Sequence, residues 1–212
     1  FEDGNGSANK GGTGMATAYH ALAYRKLASM AAAEGDAVAE AAYLVEYNAF
    51  VAALATLRGV DNYYRPSTEE PSPSVMLTAF VVFFGLAPGG DLTSSANALL
   101  TDYNVAGPTF SGGLGSTGGK IAQRGGVRHL VYPNSYLESA AVPSFYQNGG
   151  AWLGPWTGWL AYALSTVNPA KGQELLQSAV SEVMRESRIA PAPWEWSENA
   201  SKGSSSSPAA SG

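Results

Sequence analysis

The sequence predicts an all-α protein made of helical hairpins, with little strand. Three observations carry that prediction. Apolar residues recur at helical spacing through alanine-rich segments, glycine or proline stands at the ends of those segments, and long Gly/Pro-rich loops separate them. A chain of 212 residues, 45% of them hydrophobic, is ordinarily one domain with a substantial core. Residues 1–198 are read as that domain, and 199–212, rich in Ser, Ala and Gly, as a flexible tail or linker.

The first fourteen residues, with Glu2 and Asp3 among glycines and asparagines, read as a loop of tight turns. Thr13 is placed to cap a helix over Met15 to Ala33, whose apolar face is drawn through Tyr19, Leu22, Ala23, Leu27 and Met30. Gly35 ends it. A second helix over Asp36 to Arg58, with Val38, Ala42, Val45, Ala49, Ala52 and Leu57 on one side, completes the first hairpin and stops near Gly59. Prolines 66, 71 and 73 exclude a regular helix between Val60 and Pro73, so this is a long shaped loop of the kind that lines sites.

Ser74 to Ala87 is apolar all round and is expected to be buried, with Leu92 to Tyr103 as its shorter partner. Gly107 to Gly126 is too glycine-rich for helix and reads as a long irregular connection, after which Val127 to Tyr132 forms a short strand. Trp156 to Thr166 and Pro169 to Ser187 make the third hairpin, with proline at the first turn of its second helix. That helix is amphipathic through Leu175, Leu176, Ala179, Val180, Val183 and Met184.

Composition removes several functions. Only 14% of residues are charged and the net charge is −5, so no electrostatic footprint for nucleic acid is present. Cysteine is absent, and the two histidines, His20 and His129, give little material for a metal site or a Ser-His-Asp triad. No metal and no cofactor is expected. His20 reads as a satisfied inner-face histidine, and His129 has no functional reading. The glycine-rich region lacks the Gly-Lys-Ser/Thr spacing of a phosphate loop. The longest strongly apolar run, Val75 to Ala87, falls short of the roughly 20 residues that cross a bilayer, so no membrane partner is expected.

The most informative stretch is 143–159. Trp152, Trp156 and Trp159 follow a Tyr146-Gln147-Asn148-Gly149-Gly150 turn, bringing rings and amides together in a way that suits the apolar faces and hydroxyl edge of a sugar. Any one of these rings would also serve to fill a core. Tyr63 and Tyr64 offer a second platform or, more plainly, pack their loop onto its helices.

Three segments carry a resemblance. YQNGGAW (146–152) resembles the Y-x-N-G-G-x-W signature of the six-hairpin, (α/α)6-toroid glycosidase superfamily of glycoside hydrolases and inverting phosphorylases. FEDGNG, followed by GMATAYHALAY, is similar to its acid-bearing loop and succeeding helix, and PWEWSENASKG to its acidic C-terminal loop. Only about three hairpins are present, roughly half a toroid. The rest would come from the same polypeptide or another chain.

The resemblance implies a glycoside hydrolase working by carboxylate acid/base catalysis, with inversion the usual outcome. It implies Asp3 as general acid and Glu195 as base; solvent or an arginine such as Arg124 or Arg128 would keep Glu195 ionised, and Glu138 is the reserve base. Tyr146, Asn148, Trp152, Trp156 and Trp194 would bind the oligosaccharide or polysaccharide. The rival readings are a non-catalytic carbohydrate-binding or structural module and a helical polysaccharide lyase. Asn5-Gly6-Ser7 and Asn199-Ala200-Ser201 match the glycosylation acceptor pattern. Localisation stays open, with an extracellular or periplasmic setting the favoured side.

Overall fold

The computed structural model describes residues 13–87, 92–109, 117–123, 126–131, 151–152 and 155–186. Their helices are α1 (Gly14–Glu34), α2 (Ala37–Thr56), α3 (Val75–Phe84), α4 (Thr93–Tyr103), α5 (Pro155–Ser165) and α6 (Pro169–Glu186). The fold is all-α, and each helix lies within a few residues of its expected span. Short strands join them: β1 (Ala106–Thr109), β2 (Thr117–Gly119), β3 (Ala122–Gln123), β4 (Gly126–Arg128) and β5 (Ala151–Trp152). β1 pairs with β2, and β4 lies between β3 and β5, all antiparallel. The connection expected to be irregular thus holds β1 to β3 and the start of β4, because a glycine-rich backbone can still satisfy its amides by short pairings.

The helix ends follow local chemistry. Asp36 caps α2 by accepting the Ala39 N–H at 2.9 Å, and Ser74 caps α3 by accepting that of Leu77 at 3.1 Å. Gly35 (φ 75°) and Gly85 (φ 64°) close α1 and α3 in the left-handed conformation, returning their N–H groups to carbonyls of the last turn. Two expected signals behave otherwise. Thr13 makes no side-chain cap; Gly14 N–H instead donates to Pro66 O at 2.7 Å, tying the start of α1 to the 58–74 loop. α2 stops at Thr56, before Gly59, whose N–H donates to Tyr63 O at 2.8 Å in the turn beyond.

The core sits on both sides of α3, which is why that helix is apolar all round. Val75, Ala79 and Val82 face a cluster with Leu99 of α4, Leu160 and Leu164 of α5, and Val127 of β4. Leu77, Phe80 and Val81 face a second cluster with Ala18 and Ala21 of α1 and Val51 and Leu54 of α2. The first set recurs at i, i+4, i+7 and the second at i, i+3, i+4, two opposite faces of one helix. Burying each large side chain contributes about 1.5–3 kcal/mol. The middle hairpin is looser than expected, since α3 packs chiefly on α5 and more lightly on α4, whereas α1–α2 and α5–α6 are close pairs.

On the outer helices the buried face differs from the expected one. α1 buries Gly14, Ala18, Ala21, Ala28 and Ala31, while Tyr19, Leu27 and Met30 are exposed. At the start of the helix the small face is required, because a Cβ on Gly14 would lie 2.3 Å from Leu77 Cδ2, while Tyr19, half exposed, meets Phe80 of α3 edge-on at 4.9 Å. α2 buries only Val51 and Leu54 along its length, leaving Val38 and Val45 bare. On α6, Leu175 is buried, but Leu176, Val180 and Met184 form an exposed stripe at every fourth position.

The expectation that no segment is long and apolar enough to span a bilayer also needs correction. α2 has 20 residues and a mean hydropathy of 1.2 over its most apolar window, only 11% of it buried, so by length and composition it qualifies. Its hydropathy is spread over alanines between Glu40, Glu46 and Asn48, and so it never reads as one run.

Candidate functional site

A cleft of about 730 Å³ opens between the 61–63 turn and α4, within the roughly 300–1,000 Å³ usual for small-molecule sites. Asp61, Asn62 and Tyr63 form one wall; Ser94, Asn97, Ala98, Thr101 and Asp102 of α4 form the other, with Pro73, Lys120 and Val131 completing it. Asn62 has φ 65°, the only left-handed non-glycine among the described residues, a conformation asparagine tolerates better than most. Two bonds hold it there. Arg58 Nη2 donates to Asn62 Oδ1 at 3.0 Å and also to Ser94 Oγ, while Ser95 Oγ donates to Asn62 O at 2.8 Å.

Asp102 is the polar centre of the floor. Lys120 Nζ donates to its Oδ1 at 2.6 Å, and the buried Tyr63 hydroxyl donates to its Oδ2 at 3.0 Å. Burial first, then the charge of Asp102, pushes the Tyr63 phenol far above its usual value, so it stays a neutral donor. Asp61 is held by Arg65 Nη2 at 3.0 Å and accepts the Tyr63 N–H at 3.2 Å. Each carboxylate therefore has a cation beside it.

A second polar group gathers on β4. Arg128 is fully buried, with Nε donating to Leu130 O at 3.4 Å. His129 is 8% exposed, and burial pulls its pKa down to about 4, so its ring is neutral at pH 7. It lies 6.5 Å from the half-buried Trp156 ring, whose buried Nε1 has no hydrogen-bond acceptor among the described residues. β5 pairs with this strand, Trp152 opposite Val127 and Ala151 opposite Arg128. The end of the Tyr146–Trp152 run therefore lies alongside Arg128.

Comparison with known families, curated proteins and solved structures finds no match for this chain.

Of the residues singled out in the sequence, Asp3, Tyr146, Asn148, Trp194 and Glu195 lie outside the described residues, as do Arg124 and Glu138. Trp152 is described through its backbone in β5. Trp156 stands in the first turn of α5, on the β4 group and not on the 61–63 cleft. Trp159 fills the core, edge-on to Phe80 at 4.8 Å. Tyr63 and Tyr64 are buried and pack their loop down, Tyr64 N–H donating to Thr78 Oγ1 at 2.9 Å.

His20 is exposed rather than on an inner face; it stacks on Phe50 at 5.1 Å and meets Ala16 O through Nδ1. The sequence reading had placed no function on Asp61, Asn97, Asp102 or Lys120. The one signal available was the proline-bounded 60–73 loop. Among the described residues no three His, Asp or Glu side chains gather as metal ligands.

Proposed function

We propose that this chain is part of a glycoside hydrolase of the six-hairpin toroid type, cleaving a glycosidic bond between a protonated and an ionised carboxyl group without a metal. The observation that carries the reading is the seat of the YQNGGAW run: its last two residues extend the β3–β4 hairpin, and α5 starts three residues later with Trp156 beside His129. In this reading Asp3 donates the proton to the leaving oxygen and Glu195 activates water. Arg128, the buried cation of β4, keeps Glu195 ionised. Tyr146, Asn148, Trp152, Trp156 and Trp194 bind the saccharide through ring faces and amide bonds. The toroid itself is part of the proposal, its further hairpins supplied by the same polypeptide or another chain.

The alternative is a non-catalytic carbohydrate-binding module on the same scaffold. It draws support from Asp61 and Asp102, the acids of the described cleft, each of which is tied to a cation and suited to holding a ligand more than to moving a proton.

The test is reducing-sugar release from a panel of neutral oligosaccharides by the chain and by Asp3→Asn and Glu195→Gln. Turnover that falls by at least about 100-fold in each variant, with saccharide affinity kept, supports the hydrolase. Saccharide binding with no turnover in the parent, unchanged in either variant, supports the binding module.

A further inference from the structure

We infer that the cleft between the 61–63 turn and α4 is a binding site for a neutral, ring-shaped polyhydroxylated molecule, a monosaccharide or cyclitol unit. The inference rests on this cleft's own chemistry and not on the hydrolase reading. Charge comes first. Asp61 with Arg65, which stands behind the lining, and Asp102 with Lys120 form two ion pairs at 3.0 and 2.6 Å, so each carboxylate of the cleft is already matched by a cation. An anion would meet two carboxylates and a cation would meet Lys120, whereas an uncharged ligand disturbs neither pair.

Hydrogen-bonding capacity comes next. Arg58 occupies Asn62 Oδ1, which leaves the two amide hydrogens of Asn62 to a ligand. Lys120 spends one of its three hydrogens on Asp102. Asn97 is exposed on α4, and its side chain adds both a donor and an acceptor. Both carboxylates retain lone pairs beyond the bonds they already make. The cleft thus offers both donors and acceptors, and a hydroxyl is the group that serves both at once. Pro73, Ala98 and Val131 supply an apolar wall for the C–H face of a ring.

The site is also built in advance. Asn62 is held in its left-handed conformation from two sides, through its side chain by Arg58 and through its backbone carbonyl by Ser95. A strained residue pinned in this way is a recurring feature of ligand clamps. Holding its amide in place before the ligand arrives lowers the ordering cost of binding.

Saturation-transfer NMR on the full 212-residue chain tests the inference, with methyl β-D-glucopyranoside and myo-inositol as probes and cyclohexanol as the control without a hydroxylated rim. The expected result is saturable binding of at least one probe and none of cyclohexanol. Affinity should fall about tenfold in Asn97→Leu and in Asn62→Gly, a loss of roughly one or two hydrogen bonds. Asn97 is exposed, and glycine accepts the backbone conformation of Asn62, so both variants should keep the wild-type circular dichroism.

Absence of saturable binding for both probes overturns the inference. So does affinity unchanged in both variants, or binding abolished by Asp3→Asn or Glu195→Gln, which would assign the saccharide to the other site. Probe binding by a chain that releases no reducing sugar sustains this inference while the hydrolase reading fails.

Discussion

His129 shows how one buried side chain ties stability to pH. Its folded pKa of about 4 lies below the ordinary histidine value of 6.5 because burial disfavours the charged ring. Between these two values the unfolded chain binds a proton that the folded chain does not, so stability is complete above about pH 6.5 and declines as pH falls towards 4. Below 4 both states are protonated and this contribution stops changing. The full loss amounts to about 3 kcal/mol, an order-of-magnitude figure from the size of the shift. Urea denaturation of the wild type at pH 7.5, 5.5 and 4 should show this slope, and His129→Gln should flatten it; equal slopes in the two proteins would remove His129 as the cause.

The same residue marks the limit of sequence reading at this scale. Nothing in its spacing distinguishes a buried neutral imidazole from an exposed one, because its environment is made by Trp156, twenty-seven positions away. Asp102 and Lys120 were hidden for the same reason, since they become a pair only when the chain returns past α4.

At the scale of elements, the α5–α6 hairpin depends on the absence of a side chain. A Cβ on Gly172 would lie 1.9 Å from Ser165 Oγ and 2.4 Å from Ala161 O, and the second of these is backbone. Alanine is favoured over glycine within a helix by roughly 0.5–1 kcal/mol, yet here it would force the two axes apart. Overpacking of this kind costs typically about 1–3 kcal/mol, so Gly172→Ala should lower stability despite its better propensity. Thermal unfolding by circular dichroism reads the sign directly, and a raised midpoint would refute the close packing.

Helix positions were legible because caps and stops are local: Asp36, Ser74, Gly35 and Gly85 act within a turn of their own positions. Helix faces were less so. Tyr19, Leu27 and Met30 satisfied the helical period in α1, but the alanines beside them satisfied it too. The choice between the two stripes was made by how α2 and α3 pack on the helix, which its own period does not encode. The short strands β1 to β3 were illegible for a related reason, since two to four residues are too few to carry an alternating pattern and are defined only by their partners.

At the scale of the molecule, burial is distributed unevenly, and local stability should follow it. α3 has eight consecutive buried residues, Val75 to Val82, with a core cluster on either side. Opening it exposes both clusters, so its amides should exchange only when the whole fold opens. α2 has two buried residues in twenty, and on α6 Leu176, Val180 and Met184 are exposed. Those amides can open while α3 and its neighbours stay closed, at a cost well below global unfolding. Hydrogen exchange followed by mass spectrometry should therefore rank α3 slowest, the Val51–Leu54 end of α2 and the Gly172–Leu175 turn of α6 between, and the Val38–Val45 half of α2 among the fastest helical segments. Uniform protection across all six helices would mean that something else covers α2 and α6 in solution, and the exposed apolar faces of this chain would then belong to an interface.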